Sequence, residues 1–247
     1  MSDANKHGLS RTIPANVKRL VRQACGFGCV VCGSALIEYE HVDPPFAWAT
    51  SHDPECIALL CPQCHAKVTR RFLNKGAVAA AMKAPFCLRQ GFSSEVFAMG
   101  ASQPRIAIGG VLAVGCVIPL LVKGIPVLKI EPSDAPGGPV RLSGQFHNAQ
   151  GDISLQIEEN EWRPLASNWD VDVSGGAITI RDAPGHISLR LRLELPDLMV
   201  VEAMDMLAAD VRVVASRDTL DLFWANGSHS NLRGCVMSNC HVGVAIS

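Results

Sequence analysis

Two Cys-x-x-Cys pairs near the start of the chain constrain its fold more than any other feature. Cys29 and Cys32 form the first pair, and Cys61 and Cys64 form the second. A two-residue gap lets both thiolates of one turn point at the same ion, and four thiolates complete the closed tetrahedral site typical of structural zinc. The sequence therefore predicts a zinc site that ties two turns together and stabilises a small domain around them.

The remaining cysteines allow alternatives to this set of ligands. Cys25 is a competing ligand by position, but it has no partner at the right spacing. Cys235 and Cys240 could form a second site with His241, although packing of these side chains within strands is the favoured interpretation. The N-terminus lacks the apolar core of a signal peptide. We therefore expect a cytoplasmic protein, in which metal binding by cysteine is favoured over disulfides.

The charge is divided unevenly along the chain, although the net charge of the whole is −1. Residues 1–91 contain eleven Lys and Arg against six Asp and Glu, a balance of +5, and the remainder carries −6. A basic first part would suit binding of a polyanion such as DNA, and an acidic remainder would not. Ordinary scatter of charge is the alternative, because +5 is modest.

Local signals place secondary structure on both sides of the cysteine pairs. A helix is predicted from near Pro14 to about Ala24, because proline suits the first turn of a helix. The stretch "LIEYEHV" alternates as a strand does, and "CIALL" predicts a second short strand. Helices are predicted over 62–74 and over the alanine-rich 76–84.

The pattern of residue types in the sequence changes after Pro85. Short β-rich runs such as "HISLRLRLEL" recur between turn signals such as "NAQGD" and "SGG". The uncharged run 106–122 contains three glycines and a proline and is short for a membrane helix, so buried strands are favoured over a membrane span. We predict an α+β chain: a small zinc-stapled domain over 1–90, then an all-β domain over 91–247 built as a sandwich, roll or solenoid.

Between the cysteine pairs lie residues that suit a second metal site. Glu40 and His41 are on the first predicted strand, and His65 follows Cys64 at the start of the next helix. A carboxylate and an imidazole can hold one divalent ion and leave positions open for water and phosphate. A neighbouring histidine could take a proton from an attacking water. These are the parts that phosphodiester hydrolysis requires.

The stretch 14–80 resembles the HNH endonucleases with a four-cysteine zinc site and a ββα-metal fold. The resemblance depends on the two cysteine pairs, on Glu40-His41-Val42, on the run "HDPECIALLC" and on Cys64-His65-Ala66-Lys67. It implies that Glu40 and His65 hold a catalytic ion, Mg²⁺ or Mn²⁺, and that His41 is the general base. It also implies DNA as the substrate and covers about a quarter of the chain.

One position departs from the family's pattern. The family usually has an asparagine five residues before the third cysteine, where it orients the general base, and this chain has Cys56. A thiol is a poor hydrogen-bond partner. Three alternatives follow: His52 or Asp53 takes the role, Cys56 supports a slower reaction, or the domain has kept its fold and lost catalysis.

Basic side chains on two predicted helices are candidates for phosphate contacts, and a solvated basic helix face is the alternative. The β-rich part has no catalytic signature, and by analogy we expect a regulatory, targeting or oligomerising module without a membrane segment, joined to a nuclease used in bacterial defence against foreign DNA. A non-catalytic zinc module that binds nucleic acid or protein, and a purely structural zinc protein, are the competing functions. The candidate phosphate-binding residues are Lys18, Arg19, Arg22, Lys67, Arg70 and Arg71.

Overall fold

The chain is an α+β protein that divides into two compact units. The computed structural model describes residues 4–100 and 103–247. The units are Met1–Glu95 and Val96–Ser247, and the sequence places the division after residue 90. The first unit contains a cluster of four cysteines and the second is β-rich, so the predicted fold class is confirmed.

The first unit, over its described residues, combines a two-stranded sheet with short helices. Its elements are α1 (Ala15–Cys25), β1 (Glu38–His41), a 3-10 turn (Pro54–Cys56), β2 (Ile57–Leu60), α2 (Pro62–Thr69), α3 (Lys75–Met82) and α4 (Phe86–Gln90), and the two-residue β3 (Glu95–Val96) follows at the boundary.

Local chemistry accounts for the helix ends. Pro14 precedes α1 with φ −57°, as predicted, and Gly26 ends the helix in the left-handed region at φ 68°. The helix predicted over 62–74 is shorter in the structure, because α2 stops at Thr69 and Arg71 adopts φ 64°. Asn74 then caps α3 by accepting a hydrogen bond from a backbone N–H. The sequence does not predict α4.

The core of the first unit forms around β2. All four residues of β2 are buried, and the strand pairs antiparallel with β1 so that Glu40 lies opposite Ala58 and His41 opposite Ile57. Val21 of α1 and Val78 of α3 pack into the same cluster. The buried strand β2 therefore holds β1, with Glu40 and His41, against the core of the first unit.

The second unit is built from strands. They are β4 (Arg105–Ile108), β5 (Val111–Val114), β6 (Ile118–Val122), β7 (Ile125–Glu131), β8 (Arg141–His147), β9 (Ile153–Glu158), β10 (Glu161–Pro164), β11 (Asp170–Ser174), β12 (Ala177–Ala183), β13 (His186–Glu194), β14 (Leu198–Ala208), β15 (Val211–Ala215), β16 (Leu220–Trp224), β17 (His229–Leu232), β18 (Cys235–Ser238) and β19 (Val242–Ile246).

Two sheets organise these strands. One contains the order β19-β6-β7-β8-β9-β10, and the other has the order β11-β12-β13-β14-β15-β16-β17. Neighbours from β11 to β17 are antiparallel, which is not the parallel stacking of a β-helix. Each parallel pair includes one of the strands β4, β5 and β6 near the start of the unit: β4 pairs with β14, β5 with β18, and β6 with β19.

The uncharged run 106–122 lies in β4, β5 and β6, as the favoured interpretation predicts. Ile106, Ile108 and Leu120 are buried in the second unit. Across residues 4–100 and 103–247, no helix combines the length and apolarity that a membrane crossing requires.

Candidate functional site

The four cysteines of the two Cys-x-x-Cys pairs meet in one cluster. Their sulfur atoms all lie within 4.8 Å of one another, with Cys32 exposed and the other three buried. The Cys32 sulfur lies 3.6 Å from that of Cys61 and 3.9 Å from that of Cys64. The cluster could hold a metal ion such as zinc. Within the described part of the chain it is the one such group of three or more His, Cys, Asp or Glu, so Cys235, Cys240 and His241 do not form a second.

Backbone geometry brings the two pairs together. The first pair lies on a turn in which Gly33 donates a hydrogen bond to the carbonyl of Cys29 at φ 85°. A Cβ on Gly33 would lie 2.7 Å from the ring of Phe86, so the turn requires glycine there. In the second pair, Cys61 caps α2 and its sulfur accepts from the N–H of Cys64 at 3.3 Å.

The thiols of the cluster differ in acidity. Burial raises the pKa of Cys64, and the charge of Cys29 raises it further. Burial acts in the same direction on Cys61, but hydrogen bonds from the Cys64 N–H and from neighbouring thiols outweigh it and lower the pKa of Cys61. Crowded buried thiols resist joint ionisation unless a cation compensates their charge, and a divalent metal supplies that compensation. The donor set therefore fits zinc.

The hairpin and the helix that follows it bring Glu40 and His65 into contact. Glu40 lies on β1, and β2 runs directly into α2, which carries His65 beside the cysteine cluster. The Glu40 Oε2 lies 2.9 Å from His65 Nε2, and the other ring nitrogen lies 2.7 Å from the carboxylate of Glu38. Lys75 Nζ lies 2.6 Å from Glu40 Oε1. A carboxylate and an imidazole thus meet at one point, with a lysine against the carboxylate.

His41 has a different set of neighbours. Successive side chains of a strand point to opposite faces, so His41 and Glu40 have different surroundings. The ring of His41 packs against Phe46, and its Nε2 lies 3.1 Å from His52 Nδ1. The His52 Nε2 lies 3.0 Å from the carbonyl oxygen of Ser10. No hydrogen bond among the described residues joins the rings of His41 and His65.

This chain of contacts selects a tautomer for His41. The carbonyl of Ser10 can only accept, so the proton of neutral His52 is on Nε2, and its Nδ1 accepts. The His41 Nε2 must then donate to His52, which leaves the lone pair on Nδ1 of His41. Burial lowers the pKa of His41, and the charges of His52 and Lys75 lower it further, whereas the Glu40 carboxylate raises it by a smaller amount. His41 is therefore neutral near pH 7 and able to accept a proton.

Cys56, at the family's asparagine position, does not contact the ring of His41 through any hydrogen bond of the described residues. Its carbonyl accepts from the N–H of Val42, and its N–H donates to the carbonyl of Asp53. Burial raises the pKa of Cys56, and the charge of Asp53 adds to the effect. Among the described hydrogen bonds, the side chain that contacts the His41 ring is His52, one of the two residues that the first alternative names.

The basic residues of the second predicted helix remain exposed. Lys67 lies on α2, Arg70 follows the end of that helix, and Arg71 comes next. All three are on the segment that follows His65, and Phe72 beyond them is 86% exposed. This segment presents positive charge and an aromatic ring to the solvent beside the candidate site.

The basic residues of α1 are less accessible. Arg22 is buried and donates from Nη1 to the hydroxyl of Tyr39 at 3.1 Å. Lys18 lies over the ring of the same tyrosine, and Arg19 is half-buried. The sequence-based expectation that Arg22 contacts phosphate conflicts with this burial, because a guanidinium covered by protein cannot reach a nucleic-acid backbone.

No family model, curated protein or solved structure matches this chain. The residues of the site and their geometry are therefore the basis for a proposed function. The HNH resemblance stays a prediction.

Several contacts of the site are not predicted from the sequence. Glu38 lies two residues before Glu40, and period-two alternation of a strand could have placed both carboxylates on one face. Lys75 and Ser10 carry no local signal, because each reaches the site through the fold of a distant segment.

Proposed function

We propose that the first unit is a metal-dependent DNA endonuclease of the HNH type. The observation that supports this best is the 2.9 Å contact between Glu40 and His65, formed by a strand and a helix that are stapled at the cysteine cluster. A structural zinc knuckle has no need of this pair, nor of the histidine that follows Glu40. The HNH resemblance assigns to each of these three residues a role that fits its chemistry.

In this proposal Cys29, Cys32, Cys61 and Cys64 hold a structural Zn²⁺. The closed set of four thiolates leaves no position for substrate, which is the property of structural zinc sites. Zinc here fixes the start of α2 relative to the hairpin. The position of His65 relative to Glu40 then depends on the zinc.

Glu40 and His65 would hold the catalytic ion, Mg²⁺ or Mn²⁺. The carboxylate oxygen of Glu40 is the ligand type that these hard ions prefer, and the imidazole nitrogen of His65 would be the second protein ligand. When bound, such an ion supplies Lewis-acid polarisation of a phosphate and stabilises charge on the leaving oxygen. Two protein ligands leave most of the coordination sphere to water and substrate. The acidic side chain of Glu38 orients His65 through its other ring nitrogen.

His41 would act as general base. Its Nδ1 carries a lone pair in the tautomer that His52 and Ser10 select, and its lowered pKa keeps it neutral near pH 7. It can therefore take a proton from the attacking water. His52 holds the ring and the tautomer, in the manner of a residue that orients a catalytic base.

The substrate would be DNA. Lys67, Arg70 and Arg71 are exposed on the segment after His65 and would contact phosphates, while Lys18 and Arg19 contribute charge from α1. The β-rich second unit would regulate, target or oligomerise the nuclease through a protein partner or another copy of the chain, a combination that suits cytoplasmic defence against foreign DNA.

One observation favours a second candidate function, a catalytically inactive HNH-fold module that binds nucleic acid or protein. Lys75 Nζ lies 2.6 Å from Glu40, where its positive charge competes with that of a divalent ion. Cys56 in place of asparagine agrees with this candidate as well.

The deciding experiment is incubation of the zinc-loaded protein with supercoiled plasmid and Mg²⁺ or Mn²⁺, beside His41→Ala. His229→Ala is the matched control, because His229 is an exposed histidine of the second unit that bonds one acidic side chain. We expect the parent and the control to cleave, and His41→Ala to lose at least 100-fold in rate, as removal of a general base does.

Cleavage by His41→Ala at the rate of the parent would refute the role of His41. No cleavage by the parent, combined with zinc retention and DNA binding in a gel-shift assay, would favour the inactive module. In that case Cys56→Asn and Lys75→Gln are the variants that test whether activity can be restored.

A further inference from the structure

Two cysteines of the second unit meet outside the zinc cluster. Cys116 lies in the connection from β5 to β6, and Cys240 lies in the connection from β18 to β19. Their sulfur atoms are 3.0 Å apart, although the two residues are 124 positions apart in the chain. Both cysteines are free thiols. The sequence suggests Cys235 as a partner of Cys240, and the fold instead places Cys240 beside Cys116.

The fold holds the two connections side by side. β18 runs parallel to β5 and β19 runs parallel to β6, so both connections cross from one sheet to the other at the same place. The N–H of Asn239 donates to the carbonyl of Val114 at 2.9 Å, and the N–H of Ile118 donates to the carbonyl of His241 at 2.8 Å. Hydrogen bonds thus flank the sulfur pair on both sides.

The packing at this crossing is tight. Gly115 adopts φ 63°, and a Cβ there would lie 2.8 Å from the side-chain oxygen of Asn239. The Cys116 sulfur is also 3.5 Å from the carbonyl of Met237. These contacts leave little freedom for either sulfur to move away from the other.

The two thiols differ in their access to solvent. Cys116 is 3% exposed, whereas Cys240 is half-buried. A reagent from solution therefore meets Cys240 first, whereas Cys116 is shielded from it.

We propose that Cys116 and Cys240 are a redox-responsive pair that closes to an intrachain disulfide when the protein meets a small-molecule disulfide such as oxidised glutathione. A disulfide S–S bond is about 2.05 Å long, so closure shortens the separation by about 1 Å. The inference does not depend on the proposed nuclease activity.

The chemistry occurs in two exchange steps. The Cys240 thiolate, having lost its proton to water, attacks one sulfur of the small disulfide, forms a mixed disulfide and releases one small thiolate. The Cys116 thiol then loses its proton and attacks the Cys240 sulfur, which forms the intrachain bond and releases the second small thiolate. The protein loses two hydrogens, the small disulfide is reduced to two thiols, and two electrons are transferred.

Closure would fix the last strands of the chain to the unit. β18 and β19 are the final two strands and are joined by the connection that contains Cys240. A covalent bond at this connection ties both strands to β5 and β6 at once. Because the bond closes a loop of more than a hundred residues, we expect the melting temperature of the second unit to rise by about 10 °C on oxidation.

The test uses the zinc-loaded full chain, treated with oxidised glutathione, quenched by alkylation and mapped by peptide mass spectrometry. We expect a linked pair of peptides, two hydrogens lighter than the free peptides together, in the parent and in the control Cys235→Ser. Cys116→Ser should accumulate glutathione on Cys240, because the second step is blocked. Cys240→Ser should leave Cys116 reduced, and its melting temperature should not respond to the oxidant.

Alkylation of Cys116 in the treated parent, with glutathione retained on Cys240, would overturn the proposal. A link from Cys116 to Cys235 would overturn it as well. If Cys116→Ser does not fold, Cys240→Ser is the variant to use, because Cys240 is only half-buried. A cross-linked Cys116 in that variant would contradict the assigned pair. Metal analysis of each sample shows whether the cysteine cluster has kept its zinc.

Discussion

Replacement of His52 by alanine tests the contact that gives His41 its tautomer. His52 bridges the Ser10 carbonyl and the His41 ring, with distances of 3.0 Å and 3.1 Å. Among the described residues, His52 is the hydrogen-bond partner of the His41 Nε2, and His41 is 6% exposed. In His52→Ala the Nε2 of His41 loses its acceptor, and the tautomer with the proton on Nδ1, which cannot act as a base there, becomes populated.

The size of the effect follows from one hydrogen bond at a buried ring. Such a bond contributes about 1 to 1.5 kcal/mol, and about 1.4 kcal/mol corresponds to tenfold in rate. We therefore expect His52→Ala to cleave plasmid about tenfold more slowly than the parent. His41→Ala should lose far more, because it removes the base itself.

Single-turnover cleavage with saturating Mn²⁺ measures the chemical step, and a gel-shift assay measures DNA affinity separately. His229→Ala is the matched control, because it also removes a 3.1 Å hydrogen bond between side chains. We expect His52→Ala to lower the rate and to leave DNA affinity close to that of the parent. The melting temperature of the first unit should fall by about 5 °C, because the lost hydrogen bond also stabilises the fold.

Two outcomes would refute the reasoning. A rate equal to that of the parent would mean that His52 does not position His41. A loss as large as that of His41→Ala in a folded protein would mean that His52 takes part in the chemistry directly. Partial recovery in His52→Asn, which restores a hydrogen-bonding side chain, would support positioning.

Three further predictions concern the zinc cluster, the basic segment and a histidine of the second unit. Cys61→Ser should remove bound zinc and unfold the first unit, and metal analysis with circular dichroism checks both, whereas zinc retained at the parent's level would contradict the assignment. Arg70→Ala should weaken binding to DNA of any sequence and reduce the slope of log K against log salt concentration by about one. Arg217→Ala is the control, and a slope equal to the parent's in Arg70→Ala would exclude a phosphate contact. Hydrogen bonding to Asp182, with a smaller contribution from Asp205, raises the pKa of His186 above its usual value, so its stabilising contribution is complete below about pH 6.5 and is lost as pH rises through the folded pKa. His186→Gln should therefore lower the melting temperature at pH 6 more than at pH 8.5, and an equal loss at both would refute this.

The sequence predicts those parts of the first unit that depend on near neighbours. The two-residue gaps of the cysteine pairs determine that each pair can share an ion, and these four residues do form one cluster. Pro14 marks the start of α1, and the apolar run "IALL" forms a buried strand. Both signals are local, because each favours a backbone conformation only for the residues next to it. The end of α2 at Thr69 is not predicted, because Arg71 adopts the left-handed conformation that usually marks a glycine. The N–H of Phe72 donates to the carbonyl of Lys67 and closes the helix end locally.

By itself, the sequence determined the spacing that lets each cysteine pair share an ion, the start of α1 and the succession of short strands in the second unit, since each is a local property of residue type and spacing. Tertiary structure alone decided that His52 and Ser10 orient His41, that Lys75 meets Glu40, and that Cys116 lies against Cys240. These contacts depend on which distant segments pair. The parallel registers of β18 with β5 and β19 with β6, for example, are fixed by the packing of the whole sheet and not by any nearby residue.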